Sequence, residues 1–205
     1  MMERPTVSVL DKVTVKENTA VRLPCNVTGS PEPEIRWMRM KDGVYLPEHS
    51  VRSDGVLEIE KASRSWTGNY ACEAHNRAGK RRKETKLDVL YPPRIVTGPG
   101  RVEVPVDRRG NVLRKNVELS CIADGNETPT ITWFYRNAPL EPGPMIWQIE
   151  GLDYVPVATI SNDKNRSLLT IEDVHELVLH EYACRAENSQ GIDVAYGRLV
   201  KRSNS

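Results

Sequence analysis

The chain has 205 residues, with 29 basic and 28 acidic side chains and a net charge of +1. That length suits two domains of ordinary size, and a balance so close to neutrality lacks the electrostatic footprint of a nucleic-acid-binding protein. No run of about 18 apolar residues is present that could cross a membrane as a helix, and the opening Met1-Met2-Glu3-Arg4-Pro5 has no apolar stretch of leader type.

In chain order, strand-like alternation begins at Val21-x-Leu23-x-Cys25, which places these three side chains on an inner face and Arg22, Pro24 and Asn26 on the outer one. Ile35 and Trp37 follow as the inner residues of another strand, and Asp42-Gly43 is a hairpin signal. Ser53-Asp54-Gly55 turns the chain into Val56-Leu57-Glu58-Ile59, with Leu57 and Ile59 inward. The run Tyr70-x-Cys72-x-Ala74-x-Asn76-x-x-Gly79 ends in a last hairpin, where Gly79 supplies a positive φ. Tyr91-Pro92-Pro93 then fixes an extended backbone that lacks two ladder donors, so pairing is expected to end there. The boundary falls between 1–91 and 92–205, and so short a link without a Gly/Ser tract predicts a semi-rigid pair.

Every one of these signals recurs downstream. Val117-x-Leu119-x-Cys121, Pro129-x-Ile131-x-Trp133, Leu169-x-Ile171 and Tyr182-x-Cys184-x-Ala186-x-Asn188-x-x-Gly191 repeat the pattern of the first half. In both copies a Trp follows the first Cys at the same interval and a Tyr sits two positions before the second Cys, which resembles the core of tandem immunoglobulin domains of the I-set kind. What the resemblance implies is an all-β chain of two consecutive immunoglobulin-like β-sandwiches in an elongated arrangement. Four cysteines allow three connectivities; the resemblance implies Cys25 with Cys72 and Cys121 with Cys184. Bridges of this kind belong to oxidising compartments. Three N-x-S/T sequons, at Asn26, Asn126 and Asn165, agree with an extracellular location and with N-glycan on the chain. The expectation is an ectodomain segment, at a cell surface or secreted, whose leader and anchor lie outside it.

The two copies differ informatively. Cys25 and Cys72 are separated by 47 positions and Cys121 and Cys184 by 63, so the second domain holds 16 extra residues, within Asn137 to Asn165. Additional edge strands are the ordinary reading of such a segment. Its Met145, Ile146 and Trp147 are also candidates for an apolar partner-binding anchor. The family's Asp before the second Cys is missing from both copies, which read Trp66-Thr67-Gly68-Asn69-Tyr70 and Val178-Leu179-His180-Glu181-Tyr182. Apolar packing must stabilise the corner instead, and Trp66 is either a lid on the first domain or an exposed anchor.

Arg77, Lys80, Arg81, Arg82, Lys83 and Lys86 crowd the start of the first domain's last strand. Alternation puts only about half of them on one surface. They serve either to protect an edge from aggregation or to bind an anion, heparan sulfate being the extracellular candidate.

Chemistry finds little foothold. The bridges consume every cysteine, and His49, His75, His175 and His180 form neither a nucleophile pair nor a metal cluster. Gly98-Pro99-Gly100 precedes no helix that would cradle phosphate. No catalytic residue, metal or cofactor is assigned, and no small-molecule substrate. The function expected is non-enzymatic recognition of an extracellular protein, homophilic or heterophilic, by a segment of an adhesion molecule or receptor. A matrix-type module that binds heparan sulfate and an intracellular muscle-type tandem are the alternatives.

Overall fold

The computed structural model describes residues 2–113, 115–141, 145–146 and 157–202. The chain divides into two compact units, Met1–Tyr91 and Pro92–Ser205, each a β-sandwich around its own core.

In the first unit one layer combines β1 (Glu3–Val9), β3 (Val21–Leu23), β4 (Cys25–Ser30) and β7 (Leu57–Ile59); β1 pairs with β4 and β3 with β7. Pro24 explains why β3 and β4 are separate, since it cannot donate to the ladder. The other layer holds β6 (Val44–Tyr45), β5 (Glu34–Arg39), β8 (Gly68–Asn76) and β9 (Gly79–Thr97) in that order, and β2 (Lys12–Lys16) runs parallel to β9. Trp37, Tyr70, Cys72, Leu23, Leu57 and Leu87 fill the space between layers and are almost wholly buried. The turn at Ser53–Gly55 has a stringent glycine requirement: Gly55 has φ +82°, and a Cβ there would stand 2.6 Å from Ile35 Cδ1. Its carbonyl accepts the Trp37 indole N–H at 2.9 Å.

The second unit repeats this plan with longer strands. β11 (Val117–Asn126) is unbroken, because Ser120 stands where the first copy has Pro24. It pairs with β16 (Arg166–Ile171), then β15 (Val157–Asp163) and β14 (Met145–Ile146) follow outward. The opposite sheet has the order β10 (Gly100–Val104), β18 (Gly191–Lys201), β17 (Glu181–Asn188), β12 (Thr130–Tyr135) and β13 (Ala138–Leu140). Its core holds Trp133, Tyr182, Cys184, Leu119, Leu169, Ile171 and Leu199. Part of the longer segment between Trp133 and Tyr182 therefore forms strand: β13 and β14 at the sheet edges, and β15 just inside β14.

One expectation needs correction. Pairing does not end at Tyr91-Pro92-Pro93, because β9 continues as strand to Thr97 and is hydrogen-bonded to β11 as well as β8. Proline's fixed φ suits an extended strand and removes only the donor at its own position. Past it, Ile95 packs against the second unit's core and its N–H donates to Asp193 Oδ2 at 2.7 Å.

Candidate interaction surfaces

The cysteines form the bridges Cys25–Cys72 and Cys121–Cys184, both buried. The tyrosine hydroxyls close the corners: Tyr70 donates to the Trp66 carbonyl and Tyr182 to that of Val178, each at 2.8 Å. Burial pushes the Tyr70 phenol up to about 12 and that of Tyr182 higher still. Trp66 is half-buried, packs on the first unit's core and stacks on Tyr70 with ring centroids 6.3 Å apart. With the family's Asp absent, Arg64 in the same turn bonds Glu17 at 3.2 Å and lies 4.5 Å from the Tyr91 ring. The bond from Arg64 holds the Glu17 carboxyl below its ordinary range, against a smaller effect of burial.

Of the anchor candidates in the second unit, Met145 and Ile146 form β14, while their side chains and Trp147 lie outside the described residues.

The register of β9 sorts the basic run. Lys80 and Arg82 stand opposite His75 and Glu73 on the outer face, and Arg81 and Lys83 stand opposite Ala74 and Cys72. The latter two are on the core side, yet they are exposed. Lys80 is committed to Glu73 at 2.7 Å, and Glu73 also accepts from the Tyr45 hydroxyl at 2.9 Å. Burial opposes the Glu73 charge, but these two bonds outweigh it and hold the carboxyl below its ordinary range. A polar cavity of about 430 Å³ opens over this group, lined by Glu34, Arg36 and His75 as well. Lys86 stands beside Lys12 of β2. Arg77, Arg81, Arg82 and Lys83 form no ion pair within 4.0 Å among the described residues.

Asn26 is exposed on β4 and Asn165 in the turn between β15 and β16, whereas Asn126 is half-buried at the end of β11. The Asn165 sequon has a second explanation. Ser167 is fully buried, and its hydroxyl accepts the Trp133 indole N–H at 2.8 Å. Ser167→Ala strands that donor, so it should cost about 1–3 kcal/mol and remove any glycan from Asn165 as well. Asn165→Gln removes the glycan alone, and the two melting curves compared after deglycosylation isolate the indole bond. Equal stability of the two variants would show that Ser167 is there only for the sequon.

The surface that stands out was not among the candidates read from the sequence. On β18, Ile192, Val194 and Tyr196 point outward and are 52%, 40% and 65% exposed. Registers with β17 and β12 place Ile192 beside Glu187 and Thr130, Val194 beside Arg185 and Thr132, and Tyr196 beside Ala183 and Phe134. On this face one guanidinium nitrogen of Arg185 reaches Glu187 at 2.7 Å, and its covered Nε has no hydrogen-bond partner. A shallow cavity of about 120 Å³ adjoins Tyr196, Ala183 and Phe134. The repeat held the signal. The hairpins Asn76↔Gly79 and Asn188↔Gly191 are equivalent, so Ile192, Val194 and Tyr196 stand where the first copy has Lys80, Arg82 and Glu84. Three charged outward positions have become apolar.

Known proteins share the whole pattern. The immunoglobulin I-set domain model matches residues 5–89 and a further immunoglobulin domain model matches 92–188. Hemicentin-1 of Homo sapiens is 33% identical over 186 residues, which is 87% of this chain and 3% of that protein. Lachesin of Schistocerca americana is 29% identical over 87% of the chain and 47% of its own length. Leucine-rich repeats and immunoglobulin-like domains protein 1 of Homo sapiens is 29% identical over 91% of the chain and 16% of its own length. The chain thus spans less than half of each of these relatives. Among solved structures, the I67–I69 fragment from the I-band of titin is 25% identical with a TM-score of 0.61, over 98% of this chain and 67% of that one. Dpr2 Ig1–Ig2 in complex with DIP-Theta Ig1–Ig3 is 20% identical with a TM-score of 0.67, over 97% of this chain and 65% of that one, a likeness of fold. With both halves matched by immunoglobulin models and both cores built on the same bridged Cys–Trp–Tyr arrangement, the chain belongs to the immunoglobulin superfamily, as an I-set domain followed by a second immunoglobulin domain.

Proposed function

We propose that this tandem serves non-catalytic recognition of another protein outside the cell, as a segment of an adhesion molecule or receptor. The observation that carries this reading is the stripe Ile192, Val194 and Tyr196 on an open sheet face. Exposed apolar side chains aligned at the outward positions of one strand are what a contact surface presents. The two disulfides support an oxidising environment, and they count against the intracellular muscle-type tandem. Likeness to hemicentin-1 and lachesin supports the adhesion or receptor setting.

The experiment is binding of the multimerised protein to intact cells. Tyr196→Ala is expected to reduce binding about tenfold or more, as a contact aromatic does, with an unchanged melting temperature. Undiminished binding would remove this face from the reading.

A second reading, heparan sulfate, rests on a separate observation: Arg77 in the turn before β9 and Arg81, Arg82 and Lys83 on β9 are exposed, and among the described residues none of them forms an ion pair within 4.0 Å. In the same assay, loss of binding after heparinase treatment, together with sensitivity to reversal of Arg81 and Lys83, would favour it. Such binding weakens as salt rises.

A further inference from the structure

We propose that the partner of the outer β12–β17–β18 face is a second copy of this chain, docked face to face and antiparallel about a two-fold axis. This rests on the reading of that face as a protein-recognition surface and names its occupant.

Polarity and charge on this face are self-complementary. Two successive rows cross the face, Thr132–Arg185–Val194 and Thr130–Glu187–Ile192. Side chains in a row share a face and lie about 4.8 Å apart; successive rows are two residues apart along the strands, about 7 Å. Consider a two-fold axis in the plane of contact, perpendicular to the strands and midway between the rows. It exchanges the rows: Arg185 meets the copy's Glu187, Val194 the copy's Ile192, and Thr132 the copy's Thr130. Every pairing is then of like polarity or opposite charge, and each occurs twice, as an isologous contact demands. Tyr196, one row further along, faces the copy's Asn188–Gly191 turn.

The equivalent face of the first unit does not meet this condition. The equivalent rows of the first unit are Arg36–Glu73–Arg82 and Glu34–His75–Lys80. The same operation there sets Arg82 on the copy's Lys80, so that face repels itself at one edge. In the second unit the only charges in the two rows are Arg185 and Glu187, of opposite sign and adjacent in the same strand. They already bond each other at 2.7 Å, and pairing turns two such pairs into a four-charge ring enclosed by Val194, Ile192 and the threonine methyl groups. None of the three sequon asparagines lies on these strands.

The face spans a few hundred Å² by strand spacing, well below a standard interface. Self-association is therefore weak in solution and gains strength where many copies are displayed together. The test is sedimentation velocity of the whole chain from about 10 μM to about 1 mM, where so small an interface associates. The expected result is a reversible shift from monomer toward dimer. Arg185→Glu and Glu187→Arg should each abolish the shift, because each stacks like charges across the axis. An equimolar mixture of the two should restore it as a heterodimer, and so should the double reversal in one chain. Circular dichroism establishes that the variants are folded. A wild-type chain that stays monomeric throughout, dimerisation indifferent to either reversal, or a mixture that remains monomeric overturns the proposal. If the chain is monomeric while Tyr196→Ala still abolishes cell binding, self-pairing fails and recognition of a different protein stands.

Discussion

Replacing Cys121 and Cys184 together with alanine should lower the stability of the second unit by about 4 kcal/mol. The bridge closes a loop with a separation of 63 positions, and its absence releases that loop in the unfolded chain. Because the entropy grows only logarithmically with loop length, the shorter separation of 47 in the first unit yields nearly the same figure. The Cys121–Cys184 bridge is also fully buried beside Trp133 in the core, so its removal leaves a gap in packing that adds to the cost. A domain of this size has only about 5–15 kcal/mol in total. The variant's second unit should therefore melt far below that of the parent. The two cores share no residue, so the first unit's transition should stay in place. Urea unfolding followed by tryptophan fluorescence would report both, and a shift of less than about 1 kcal/mol would falsify the assigned role of the bridge in stability.

How far this architecture is legible in the sequence can be seen residue by residue. Trp37, Tyr70 and Cys72, and their counterparts Trp133, Tyr182 and Cys184, are all essentially without exposed surface, where parity and repetition place them. Alternation suffices here because each strand has one dry face, and a slip of one position would turn every inner side chain outward. Pro24 splits a strand for a reason that is also visible, its missing donor.

The exposed stripe on β18 is harder to find for a physical reason. In Gly191-Ile192-Asp193-Val194-Ala195-Tyr196 the bulky side chains alternate, and parity alone assigns such residues to a core. The register Cys184↔Ala195 settles that the small residue faces inward and the large ones face out. Comparison of the copies supplies the same answer, since Lys80, Arg82 and Glu84 occupy the equivalent positions. Neither Ser167 as the acceptor for Trp133 nor the continuation of β9 through two prolines could be read from residue type. Each depends on which strands become neighbours.

The second large effect concerns Trp37. Trp37→Ala should destabilise the first unit by about 3–5 kcal/mol, as the indole has no exposed surface and sits among Leu23, Leu57 and the Cys25–Cys72 bridge. Two contributions can be separated. Trp37→Phe retains much of the apolar volume but leaves the buried Gly55 carbonyl, now its acceptor at 2.9 Å, without its donor, at a cost of about 1–3 kcal/mol. The remaining difference between Phe and Ala is the cavity. Gly55 limits how far that cavity can close, since its left-handed backbone, φ +82°, and its tight approach to Ile35 pin the turn that would have to move inward. Urea midpoints with an unchanged slope would therefore order the variants wild type, Trp37→Phe, Trp37→Ala. If Trp37→Ala were no worse than Trp37→Phe, the turn must collapse into the space despite Gly55, and the hydrogen bond rather than the ring volume would be what the buried tryptophan contributes.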